Sequence, residues 1–385
     1  MKMNLDIISN ISKISSEAWN NLNINDHPFT NYDFLYALEE SKSVCARTGW
    51  LPQHVILKDI DNKIIGILPN YLKSHSYGEY VFDHSWANAY QKAGGSYYPK
   101  LISAIPFTPV KGPRFLYKES KKEIIIQNIS QFIMDLADKN NLSSAHINFL
   151  DENTDHILEK KGWLKRVGLQ FHWENIGYSS FEDFLEELKS SKRKMIKKER
   201  DYIKKTGIVI NRISGDDLKS TIWDQFYKFY LDTIDKKWGS AYLTRDFFSS
   251  ISDKLNKKIV LITAEKDNQI VAGALNFTDK NCLYGRNWGS KIDVPFLHFE
   301  MCYYQAIDYA IEQKLKVVEA GAQGHHKIKR GYLAKPTFSY HYLPNSSFRN
   351  AVSAFINDEK RHIQENIDYV NNHDNPFKFK IKIKS

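Results

Sequence analysis

Residues 258–288 read KIVLITAEKDNQIVAGALNFTDKNCLYGRNW. Three apolar, β-branched runs stand in this stretch: Lys258–Glu265, Gln269–Phe277 and Asn281–Trp288. The polar turn Lys266-Asp267-Asn268 joins the first two, so the spacing predicts an antiparallel meander. A helical period over Pro295–Gln313 follows, then a short strand at Lys316–Glu319, the loop GAQGHHKIKRGY and a strand at Thr337–Tyr342. A meander feeding a helix and a further strand predicts an α/β unit with a mixed, largely antiparallel sheet.

Working outward, the first half shows the same order. Residues 1–50 read as helical, from Ile8, Ile11, Ile14 and Trp19. Gln53–Lys58, Lys63–Leu72 and Tyr77–Ser85 read as strands, and Tyr97–Ala104 as a short helix. An extended, proline-rich return over 105–117 precedes a helix at 120–139 and a buried strand at Ala145–Leu150. A short helix near 155–161 and a strand at Trp163–Asn175 complete this half. The second half opens with a long helix over 181–205, a strand at Ile208–Ile213 and a helix from Asp216 to Ile234. The expected domains are 1–170 and 171–348, followed by a helix over 349–370 and a lysine-rich tail within 349–385. Element order repeats between the halves; sequence does not.

The chain has 385 residues, 42% hydrophobic and 26% charged, which excludes wholesale disorder. Net charge is +9, and it is uneven: 171–385 holds 35 basic and 27 acidic residues. That half is expected to meet any polyanionic partner. Cys45, Cys282 and Cys302 are too few and too scattered for a disulfide framework or a zinc motif, which fits a reducing compartment. Asn4, Asp6 and Asn10 fall where a signal peptide needs an apolar core, and no apolar run approaches the roughly 20 residues of a spanning helix. A cytoplasmic location is expected.

Three segments carry a resemblance. They are FDHSWANAY (Phe82–Tyr90), with YYPKL and PFTPVKGPR after it; LYGRNWG (Leu283–Gly289), followed by FLHFEMCYYQAIDYAI; and EAGAQGHHKIKRGY (Glu319–Tyr332). Together they resemble the FemAB-like family of peptidoglycan biosynthesis or recognition proteins over roughly 50–345. That family looks related to the Fem-type aminoacyltransferases. The resemblance implies two GNAT-like (acyl-CoA N-acyltransferase) domains in tandem. It also implies transfer of an acyl or aminoacyl group to an amine of a cell-envelope precursor, without a covalent enzyme intermediate. The donor would be an acyl-CoA or an aminoacyl-tRNA, with no tightly bound cofactor. Relatives usually carry an acidic residue where this chain has His325, so no role at that position is carried over. The alternative is a non-catalytic protein that recognises a peptidoglycan fragment or another polar ligand.

Acyl transfer to an amine needs a base, a donor to the carbonyl oxygen and a cradle for the donor's phosphates. Glu300 interrupts the apolar stripe Leu297, Tyr304, Ile307, Ile311 on the helix 295–313. It is either a base with a raised pKa or an ion pair with Arg286 or Arg330. Glu319 is the second acid/base candidate, with pairing to Arg330 as its structural alternative. His298 and Tyr304 on the same helix, and Gln323 in the loop, are candidate substrate contacts. His298 and Cys302 stand four apart but lack further ligands, so no metal is expected. Arg286, Gly289, Gly321, Gly324, Lys327 and Arg330 are the expected phosphate or carboxylate cradle, against a turn with solvated charges. The segment Arg286–Lys291 departs from the pyrophosphate motif Q/RxxGxG/A of single-domain relatives, which leaves a donor other than acetyl-CoA open. In the first half Asp83, Trp86, Asn88 and Tyr90 suit recognition of a polar substrate, or packing. Finally, KSSKRKMIKKERDYIKK (189–205) holds nine basic residues, with Arg193, Lys197, Arg200 and Lys204 in one stripe. The stripe is a contact for tRNA phosphates or an anionic membrane surface, or a solvated helix face.

Overall fold

The computed structural model describes residues 3–151, 155–235, 239–322 and 324–378. The chain forms two compact units: Met1–Gly168 with Tyr242–Phe247 and Pro336–Ile363, and Leu169–Ala241 with Phe248–Lys335 and Gln364–Ser385.

The first unit holds two sheets. Asn4–Ile8, His54–Lys58, Ile64–Leu68 and Leu116–Tyr117 form an antiparallel one. Trp50–Pro52, Tyr71–Lys73, Lys100–Ser103 and Ala145–Leu150 form the other, which Phe338–Tyr342 completes. Lys100–Ser103 and Ala145–Leu150 run parallel; all six residues of the latter are buried, as in a strand covered on both faces. The helix Lys122–Lys139 buries Ile125, Ile126, Ile129, Ile133 and Ala137 against this core, at helical spacing.

Several expectations for this unit are corrected. The first 50 residues contain the strand Asn4–Ile8, because those residues pair with His54–Lys58; the helices there are Ser16–Asn20 and Tyr32–Glu40. Tyr77–Ser85 is not a strand. Gly78 and Tyr80 adopt φ of 81° and 60°, which turns the chain, and the helix His84–Lys92 follows. Tyr97–Ala104 is not a helix, since Lys100–Ser103 lies between two strand partners.

The second unit is the predicted meander. Val209–Ile213, Ile259–Lys266, Gln269–Thr278 and Cys282–Ser290 pair antiparallel in that order. Cys282–Tyr284 then runs parallel to Val317–Glu319, which pairs antiparallel with His172–Glu174. The expected long helix over 181–205 is two helices, Phe181–Glu187 and Ser190–Lys205. Leu188 between them is extended and bridges to Phe377. The helix Arg245–Leu255 was not anticipated. Of the lysine-rich stretch 377–385, FKFKIKIKS, only Phe377 and Lys378 fall within the described residues. No helix among the described residues is long and apolar enough to cross a membrane.

A candidate acyl-transfer site

The second unit's sheet is irregular at Ala264/Glu265 and again at Leu275/Asn276. Asn276 pairs with Gly285 and Leu275 with Asn287, so Arg286 is the extra residue of a β-bulge. On the strand's other edge, parallel pairing ends at Tyr284 and Glu319. Gly285 sits in the crotch: a Cβ there would lie 3.4 Å from the Glu319 carbonyl oxygen. A hollow of about 90 Å³ opens here, lined in part by Arg286, Trp288, His298, Cys302, Tyr303 and Ala320.

The helix over the hollow is irregular. Leu297–Phe299 is α-helical, Glu300–Tyr304 is a π-turn, and Gln305–Glu312 returns to α. Single π-turns inside helices often mark functional sites. Phe296 begins it at φ 69°, and Leu297, Met301 and Tyr304 are buried beneath it. Glu300 is buried too, but its partners are neither Arg286 nor Arg330. Its Oε1 accepts from Arg200 at 3.1 Å and from Gln305 at 2.8 Å, and Arg200 also reaches Asp308 at 2.7 Å. Arg200 thus leaves the predicted basic stripe and turns inward. The outward face of that helix keeps Lys194, Lys197, Lys198, Lys204 and Lys205, with Lys197 paired to Glu182.

The glycine-punctuated loop forms a 3-10 helix of six residues, His325–Arg330, entered and left by Gly324 and Gly331 at φ of 117° and 94°. Arg330 is fully committed. It pairs with Glu199 through Nη2 to Oε1 at 2.7 Å and Nε to Oε2 at 3.3 Å, donates to Tyr304 at 3.0 Å and stacks 3.5 Å over Phe299. Tyr304, a predicted substrate contact, is fully buried and donates to Glu199. His326 Nε2 meets the Tyr303 hydroxyl at 2.8 Å, which ties the loop to the π-turn. Lys329 is exposed, whereas Lys327 is buried, its Nζ donating to the Gly321 carbonyl at 2.9 Å. Burial pushes the Lys327 ammonium down to about 8.

The remaining predicted positions divide. Arg286 and His298 meet at the hollow, beside Tyr303, which sequence reasoning missed. Glu319 is buried at the strand end, where its charge adds to the burial that pushes up the Cys282 thiol and the Tyr284 hydroxyl. Gly289 belongs to packing: a Cβ would lie 2.2 Å from the Phe229 carbonyl oxygen, so that face is closed to a ligand. Gly321 turns at φ 80° with open space where a Cβ would stand. Gln323 lies outside the described residues.

In the first unit the four clustered residues part company. Asn88 is exposed, and Tyr90 packs 4.5 Å from Phe348. Trp86 is buried edge-on to His341 at 4.9 Å. Asp83 is buried within an ionic cluster that sequence reasoning missed. Lys100, fully buried, donates to Asp83, to Glu79 at 2.9 Å and to Ser76 at 2.9 Å. Burial works against the charge of Lys100, but Glu79 and Asp83 outweigh it and hold its pKa above the usual lysine value. His146 lies 3.8 Å from Asp83 and 2.6 Å from His341. Lys73 sits opposite Lys100 with its Nζ 4.0 Å over the Trp50 ring. Only the Lys-Lys cross-strand register could have signalled this cluster, and a register is not visible before strands are paired. Among the described residues no group of three or more His, Cys, Asp or Glu side chains could hold a metal.

Residues 10–379 match the model of a family described as FemAB-like, peptidoglycan biosynthesis/recognition. Among solved structures, the crystal structure of FemX superposes with a TM-score of 0.56 at 11% identity, covering 92% of this chain and all of that one. The C-terminal domain of a putative lysylphosphatidylglycerol synthetase from Agrobacterium fabrum gives 0.51 at 8% identity, with 90% and 95% covered. A conserved protein of unknown function from Bacteroides thetaiotaomicron gives 0.50 at 10%, with 88% and 99% covered. At such identities the likeness is one of fold, and it agrees with the tandem GNAT-like α/β arrangement. No curated protein matches the sequence.

Proposed function

Because this chain belongs to the FemAB-like family of peptidoglycan biosynthesis and recognition proteins, we propose that it is an acyltransferase. It moves an acyl or aminoacyl group from an activated donor, an acyl-CoA or an aminoacyl-tRNA, to an amine of a cell-envelope precursor. One observation carries this reading: the bulge at Arg286, the end of parallel pairing at Glu319 and the hollow all coincide. A bulge leaves an unpaired residue in the ladder, so backbone polar groups there are released for other use. An N–H presented to the hollow would stabilise the oxyanion that forms when an amine attacks an acyl carbonyl. The gap between two strands that have ceased to pair admits the donor's narrow end.

Attack is direct. The Cys302 thiol is pushed up by burial, which makes it a poor nucleophile, and no Ser or Thr among the described residues lines the hollow. Arg330 is tied to Glu199, so the outward lysines of Ser190–Lys205 are the cations offered to the donor's phosphates. Incubating the chain with a panel of acyl-CoAs, aminoacyl-tRNAs and muropeptide amines tests the reading. Turnover with at least one donor class is expected. A chain that binds a muropeptide yet transfers nothing from any donor is a recognition protein instead.

A further inference from the structure

On the sheet side of the hollow, Asn276 has its orientation fixed by its partners. It is 1% exposed and donates both amide hydrogens to backbone carbonyls, of Val260 at 3.2 Å and of Ala274 at 3.1 Å. Carbonyls only accept, so the amide cannot be turned over, and Oδ1 is the atom left to face the crotch. That oxygen lies 3.5 Å from where a Cβ on Gly285 would stand, and no group among the described residues donates to it. A buried acceptor without a donor is costly, and a ligand N–H would relieve the cost. On the helix side stands His298. Its ring is edge-on to Trp288 and to Tyr303, with centroids 5.3 Å from each, and all three residues line the hollow with Asn276. Tyr303 is itself held by His326, so the imidazole is clamped from two sides. No carboxylate lines the hollow among the described residues. Arg286 is a cation, and Asn276, Asn287 and Trp288 take up no proton near neutrality. Burial pushes the Cys302 thiol and the Tyr303 hydroxyl up, so both keep their protons. Beyond the lining, His326 faces His298 from the loop at 6.3 Å, and Lys327 lies near Cys302. Among the described lining residues, His298 is the side chain that can accept a proton near neutral pH.

We propose that the hollow seats the attacking amine, with Asn276 Oδ1 accepting one of its N–H groups and His298 taking its proton. The assignment rests on the acyltransferase reading and supplies its acceptor side. The amine's lone pair forms the new bond to the acyl carbon, and the carbonyl pair moves onto oxygen. The nitrogen, now positive, passes a proton to a ring nitrogen of His298. On collapse the oxygen's pair restores the carbonyl. The donor's ester C–O or thioester C–S bond breaks, its electron pair stays on oxygen or sulfur, and the imidazolium returns the proton there. An amide and a free alcohol or thiol result, with His298 neutral again. A hydroxyl acceptor has a single hydrogen and can serve only one of the two walls, so the seat selects amines over alcohols. Glu300, held by Arg200 and Gln305, is a structural ion pair on this account.

Transfer to a muropeptide with a free side-chain amine is measured against pH for the unmodified chain, His298→Gln and Asn276→Ala. The unmodified rate should rise as an imidazole sheds its proton, between about pH 5 and 8. His298→Gln should lose that rise and at least ~100-fold in kcat, with KM for the donor changed less than about threefold. Any further rise set by the acceptor amine's own pKa should remain. Asn276→Ala should raise KM for the amine about fivefold and leave KM for the donor in place. A His298→Gln chain that keeps the rise, or stays within about threefold of the unmodified kcat, overturns the base and leaves the transferase reading intact. An amine KM unmoved in Asn276→Ala overturns the seat in the same way. No turnover by the unmodified chain with any acyl-CoA or aminoacyl-tRNA fells both readings. Should the variants fail to fold, carbethoxylation of the unmodified chain decides. The muropeptide should slow modification of His298, and modification unslowed at saturating muropeptide overturns the proposal.

Discussion

Lys73 and Lys100 stand opposite each other on adjacent antiparallel strands, and both are fully buried. Like charges so placed repel, and the chain resolves the conflict by giving them different partners. Lys100 takes Glu79 and Asp83; Lys73 is left with the Trp50 ring, His75 and the Tyr77 carbonyl. Burial therefore pushes Lys73 down to about 7, and burial pushes Glu79 up to about 7 against the pull of Lys100. The two act on stability in opposite directions. Folded Glu79 keeps a proton that the unfolded chain loses above about 4.5, so its contribution fades as pH rises to about 7. Folded Lys73 has lost a proton that the unfolded chain keeps up to about 10.5, so stability recovers as pH rises from about 7 toward that value. Thermal melts across pH should show a minimum near neutrality, with stability rising toward both acid and alkaline pH. The double variant Lys73→Met/Glu79→Gln should flatten it; an unchanged profile would place the titrating groups elsewhere. At Gly289 the demand is steric. Gly289→Ala should cost about 1–3 kcal/mol in urea melts, because the Phe229 backbone cannot move aside as a side chain could.

Among the elements, the helix Ser190–Lys205 and the loop turn His325–Arg330 are joined by one buried ion pair. Glu199→Ala should lose about 3–5 kcal/mol, since it strands the Arg330 guanidinium, and Glu199→Ala/Arg330→Met should regain most of it. A denaturant double-mutant cycle with no coupling would refute this. The same pair shows what could be read in advance. The meander was legible because alternation and polar turns are local, and so was the intrusion of Glu300 into an apolar stripe. Its partner was not, because Arg200 lies a hundred residues away and looked like one more lysine-rich surface position. The spacing of Ile8, Ile11 and Ile14 mimicked a helix, whereas Asn4–Ile8 becomes a strand only because His54–Lys58 offers it an edge. The bulge at Arg286 and the parting of strands at Glu319 are properties of pairing. No single segment encodes them, so the hollow stayed invisible while the loop beside it stood out.

At the scale of the whole molecule, the chain order and the unit order disagree. The sheet of the first unit is completed by Phe338–Tyr342, whereas the second unit takes up His172–Glu174, which pairs with Val317–Glu319. A fragment ending at Gly168 therefore lacks the strand that covers Ala145–Leu150 and the helix residues that pack on Trp86, namely Phe348, Val352 and Ile356. It should show little cooperative melting by circular dichroism, and a peptide spanning 336–363 added in trans should restore it. A fragment that melts cooperatively alone would show that this segment is dispensable. During synthesis, then, the ribosome releases most of the first unit's core long before its closing strand exists. That core must wait, unfinished and adhesive, for some 190 further residues. Over that interval the nascent chain is a client for holding factors, and a slow stretch of translation ahead of residue 336 would lengthen its exposure.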